Sequence, residues 1–77
     1  MIKTECTING KIYPLKYQKI FSKDGEAFQG IVFLKTAIGF LYVRRTDNSL
    51  LFEPSFFDRQ VQRSIITAIE ENEQTLS

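Results

Sequence analysis

The chain has no histidine, no tryptophan and a single cysteine, Cys6. Without histidine, one chain cannot build a Ser/His or Cys/His nucleophilic pair. Nor can it build a Cys/His zinc site, and one cysteine closes no internal disulfide. Long apolar runs are missing too. The longest, Ile31 to Leu34, has four residues, far short of the ~20 that cross a bilayer as a helix. No apolar stretch of signal-peptide length follows Met1. The glycines at 10, 25, 30 and 39 form neither a dinucleotide fingerprint nor a phosphate loop. Glu5, Asp24 and Glu26 lack metal-ligand spacing. Glu70 and Glu73 stand three apart near the C-terminus, where a solvated, fraying helix end is the expected setting. These absences predict a soluble, cytoplasmic single domain that is not an enzyme and uses no cofactor, metal or membrane. Cys6 reads as a small buried hydrophobe.

What is present points to a folded domain. The 77 residues are 43% apolar and 25% charged, outside the composition of disordered chains. A chain this short removes only roughly 60% of its unfolded surface from water, so its core is thin and a second subunit often completes it. Asn9-Gly10 and Asp24-Gly25 are hairpin signals, since both tolerate positive φ. Asp47-Asn48 is a third turn signal and Thr36-Ala37 a weaker one. The turns cut the chain into strands at about 2–8, 11–21, 28–35 and 38–46, with a fifth candidate at 49–52. Tight turns pair consecutive strands antiparallel.

Details of these runs predict the shape of the sheet. Lys19 and Ile20 interrupt the alternation set by Leu15, Tyr17 and Phe21, which predicts a bulge near Gln18–Ile20. Phe28, Val32 and Leu34 share one face and Ile31 and Phe33 the other; Ile38, Phe40 and Tyr42 oppose Leu41 and Val43. Strands apolar on both faces predict a sheet covered twice or wrapped into a small barrel. Phe28, Phe33, Phe40, Phe52 and Phe57 read as core. Gly30 and Gly39 mark close backbone approaches.

After Phe52 the period changes. Ser55 reads as an N-cap with Asp58 three residues on, opening a helix over about 55–72 with a loose tail at 74–77. Phe57, Val61, Ile65, Ala68 and Ile69 form its apolar stripe. Phe56 and Ile66 fall outside that stripe and become candidate interface residues for a homodimer. The predicted fold is α+β: an antiparallel four- to five-stranded meander, curved or closed, with one C-terminal helix packed on it.

Charge is uneven. Residues 1–45 carry eight cations against three anions, and residues 46–77 two against six. The basic half interleaves Tyr13, Lys16, Tyr17, Lys19, Phe21 and Lys23. Rings that stack on bases beside cations that meet phosphates are the means of binding single-stranded nucleic acid. The candidate residues are Lys16, Tyr17, Lys19, Arg44 and Arg45. Four strands and one long helix, taken in order, resemble the whirly-type single-stranded-DNA-binding proteins. That resemblance implies a homodimeric module with a curved sheet; it rests on element order and carries no binding residue. An SH3-like barrel with an added helix fits the same strand lengths. Two functional readings follow: a nucleic-acid-binding or transcription-associated module, and a protein-binding adaptor or inhibitor.

Overall fold

The computed structural model describes residues 1–23, 25–47, 49–53 and 57–76. Five strands and one helix follow in order: β1 Ile2–Ile8, β2 Lys11–Ser22, β3 Gly25–Phe33, β4 Ile38–Arg45, β5 Leu50–Phe52 and α1 Arg59–Leu76. The strands form one antiparallel sheet in sequence order. The sheet is curved and open. The barrel alternative is therefore corrected.

The first hairpin follows from its turn. Ile8 pairs with Lys11, leaving Asn9 and Gly10 as a two-residue loop with φ of 53° and 79°, the positive values of a type I′ turn. The second closes at Ser22↔Gly25, so β3 starts at Gly25, earlier than expected. Asp24, like Asn48 of the third turn signal, lies outside the described residues. From Leu15↔Val32 to Ser22↔Gly25 the β2–β3 register advances without a skip. The bulge expected near Gln18–Ile20 is absent because Lys19 occupies an inward position at the rim, where carboxylates meet it.

The helix starts at Arg59, not near Ser55. Asp58 is its N-cap: Val61 N donates to Asp58 Oδ1 at 2.9 Å and Gln62 N to Asp58 O at 3.0 Å, the bonds expected of a capping residue. Pro54, Ser55 and Phe56 lie outside the described residues. The helix also runs beyond Asn72 rather than fraying there. It packs along β1, antiparallel to it. Gln60 donates to Asn9 at one end, and Asn72 to Tyr17 at the other.

The core lies between α1 and one face of the sheet. Cys6, Ile8, Leu15, Tyr17, Phe28, Val32, Leu41, Val43 and Leu50 meet Ile65, Ala68 and Ile69. Full burial of each large side chain contributes roughly 1.5–3 kcal/mol. Phe57, just before the cap, lies over Gly39 and edge-to-face with Phe52 at 6.1 Å. A Cβ on Gly39 would stand 2.6 Å from Phe57 Cε1, so the close approach expected there is made by this ring.

Candidate interaction surface

Strand parity sorts every side chain onto one of two sheet faces. Tyr17, Lys19 and Arg45 share the face under α1; Lys16 and Arg44 point the other way. The five candidate nucleic-acid residues therefore form no single patch. The Tyr17 ring is fully buried, 0% exposed, edge-to-face with Phe28 at 5.7 Å. Its hydroxyl donates to Glu73 Oε2 and accepts from Asn72 Nδ2, both at 2.8 Å. No face of this ring is left for a base, which corrects the stacking role expected of it.

The two cations on that face are taken up internally. Lys19 Nζ lies 2.6 Å from Glu73 Oε1 and 3.9 Å from Glu26 Oε2. Arg45 Nε donates to Glu26 Oε1 at 2.7 Å. Both cations also flank the Phe28 ring, at 5.9 and 5.7 Å from its centroid. With Glu70 and Gln74 they line a cleft of about 470 Å³ at the helix's C-terminal end. Glu73 is thus a tether and not part of a solvated, frayed end. Its position was readable in the sequence: it stands four residues after Ile69, on the inward stripe. Burial alone would raise its carboxyl; the hydrogen bonds from Lys19 and Tyr17 and the charges of Lys19 and Arg45 outweigh burial and hold it below its ordinary value.

The opposite face is uncovered. Ile31, Phe33, Ile38, Phe40, Tyr42 and Leu51 lie there, on β3, β4 and β5. Phe40 is 77% exposed, Ile38 57% and Leu51 48%. Phe40 is therefore not core, and Phe33 sits on the outer face, beneath Lys16 Nζ at 5.3 Å from its ring centroid. The loss of alternation in β3 and β4 signalled two apolar faces, but within one chain only one of them is covered. Lys3 pairs with Lys16 on the β1–β2 side of this face. On the far side Arg44 Nε stands 3.3 Å from Glu53 Oε1.

Ile66, expected to await a second chain, is half-buried and packs against its own core. Cys6 is buried against the helix, and burial raises its thiol pKa against the opposing effect of a backbone hydrogen bond. That favours the inert thiol over the thiolate. Among the described residues no helix is long and apolar enough to cross a membrane. No group of three Cys, Asp or Glu residues among them could hold a metal ion. Comparison with protein-family models, with curated proteins and with solved structures finds no match to this chain.

Proposed function

We propose that this protein is a non-catalytic protein-binding module whose working surface is the uncovered face of its sheet. One observation carries the reading: a contiguous apolar patch centred on Phe40 and Ile38 is exposed on a sheet whose other face packs its core against the helix. Folded domains seldom leave such patches open without a partner for them. An aromatic anchor amid aliphatic neighbours has the anatomy of a protein interface.

The nucleic-acid reading keeps one favourable observation. Lys3 and Lys16 stand on the same face as Phe33, Phe40 and Tyr42. Against it, three of the five expected binding residues serve the internal tether, and Arg44 is paired with Glu53.

The experiment separates the two. Immobilised wild type, Phe40→Glu and Lys3→Glu/Lys16→Glu are presented with lysate of the source cells and, separately, with a labelled single strand over a salt series. Protein capture that survives raised salt, is lost with Phe40→Glu and cross-links to β3–β4 supports the protein-binding reading. Strand binding that falls steeply with salt and disappears in the double lysine variant replaces it with the nucleic-acid one.

A further inference from the structure

We propose that the occupant of the uncovered sheet face is a second copy of this chain, packed sheet against sheet about a two-fold axis running along the strands between β3 and β4. This rests on the protein-binding reading and names its partner.

The first argument is area. A monomeric protein of 8.9 kDa exposes about 4,800 Å² when folded. This chain exposes 5526 Å². The excess is about 700 Å² over a monomer of this mass, close to the roughly 800 Å² that each partner contributes to a standard interface. The surplus has the size of one half of an interface, and of the six large apolar side chains exposed among the described residues four, Ile12, Ile38, Phe40 and Leu51, lie on the uncovered face.

The second argument is the layering. Strands β3 and β4 bury Phe28, Val32, Leu41 and Val43 beneath the helix and present Ile31, Phe33, Ile38 and Phe40 on the other side. Strands apolar on both faces belong inside a stack of layers. One chain supplies helix and sheet only. Two chains give helix, sheet, sheet, helix, with the inner sheets about 10 Å apart and their strands within about 30° of each other. A two-fold axis along the strands produces that aligned packing.

The third argument is register. Ile31 pairs with Phe40 and Phe33 with Ile38 across β3–β4, all four on the uncovered face. The axis lays β3 of one copy across β4 of the other at the same height along the strands. Ile31 and Phe33 of each copy then meet Phe40 and Ile38 of the other, so the match is made twice, as an isologous interface requires.

Sedimentation equilibrium over a concentration series tests this on the full chain, wild type beside Phe40→Glu, with far-UV circular dichroism of both. The expected wild-type mass rises toward twice 8.9 kDa. Phe40→Glu should weaken the dimer at least ~100-fold, as loss of a central aromatic anchor does. Its dichroism should be unchanged, because the Phe40 ring is exposed in the single chain and supports no core contact. Gln29→Cys, in β3 on the same face, should join two chains through a short bifunctional thiol cross-linker, whereas Arg63→Cys on the exposed side of α1 should not. The native Cys6 is buried and does not compete. A wild type that stays at 8.9 kDa throughout overturns the dimer; the capture experiment then judges the protein-binding reading on its own. A dimer that tolerates Phe40→Glu, or that cross-links through residue 63 and not 29, also overturns it.

Discussion

Replacing Tyr17 with phenylalanine tests the tether that joins the helix's C-terminal end to the sheet. The substitution removes one oxygen and leaves a ring of the same shape against Phe28. Two bonds go: the hydroxyl's donation to Glu73 Oε2 and its acceptance from Asn72 Nδ2, both at 2.8 Å. A hydrogen bond to a charged group is worth about 1.5–3 kcal/mol and a neutral one about 0.5–1.5. Glu73 keeps Lys19 at 2.6 Å, and both helix residues are only part-buried and reach water. The net loss should be about 2 kcal/mol. For a domain of this size that lowers the melting temperature by roughly 10 °C. Urea unfolding followed by circular dichroism at one fixed protein concentration measures it.

The same residue gives a second readout. Burial, and after it the neighbouring Glu73, pushes the Tyr17 phenol up to about 12, with the Asn72 hydrogen bond opposing. Its folded pKa thus lies above its unfolded value of about 10. The stability that comes from keeping the phenol neutral is complete below that unfolded value. It is lost as pH climbs toward about 12. Tyrosinate absorbance should show one phenol of the three ionising near 12 in wild type, and the Tyr17→Phe protein should lack it. A stability loss under about 0.5 kcal/mol, below the usual net worth of even a neutral hydrogen bond, or the absence of any late phenol, would refute the tether.

Three further outcomes follow from the same geometry. Glu73 is held below its ordinary pKa, so its contribution is complete above the unfolded value of about 4.3 and lost as pH falls through the lower folded one; wild-type stability should drop below about pH 5, and Glu73→Gln should flatten that acid limb in urea titrations. Asp58→Ala removes the N-cap and should cost about 1 kcal/mol, with Asp58→Asn recovering most of it; a silent alanine variant would place the cap elsewhere. Gly39→Ala forces a Cβ against the Phe57 ring and should cost about 1–3 kcal/mol, partly relieved by adding Phe57→Leu; thermal melts of the single and double variants read this directly.

The sequence was most legible where structure is decided locally. Asn9-Gly10 set a two-residue hairpin, and short turns forced neighbouring strands to pair in order. The spacing of Val61, Ile65, Ala68 and Ile69 named the buried side of the helix. Ser55 reads as the cap with Asp58 as its partner three residues on, whereas Asp58 itself caps the helix; aspartate suits the N-cap as well as serine does, so local preference does not fix the starting residue. The expected bulge in β2 failed for a different reason. Lys19 was judged by polarity against its strand neighbours, whereas its partner Glu73 lies 54 positions away. Alternation reports burial by apolar neighbours, and an inward lysine met by a distant carboxylate breaks the pattern without breaking the ladder.

The same non-local pairing relocated the candidate site. Charge asymmetry between the two halves allowed either a basic face turned to solvent or a basic half turned to its own acidic helix. The stripe carrying Ile65 and Ile69 runs on through Asn72 and Glu73, so docking the apolar part of α1 delivers a carboxylate to the rim of the same sheet face. Tyr17, Lys19 and Arg45 converge there with Glu26 and Glu73. A helix that takes one face also decides what remains on the other. Parity leaves Ile38 and Phe40 outside because Leu41 and Val43, their neighbours in β4, are the ones the helix side covers. Docking the helix thus engages Lys19 through Glu73 and leaves exposed the Phe40 ring on which the proposed protein interface is centred.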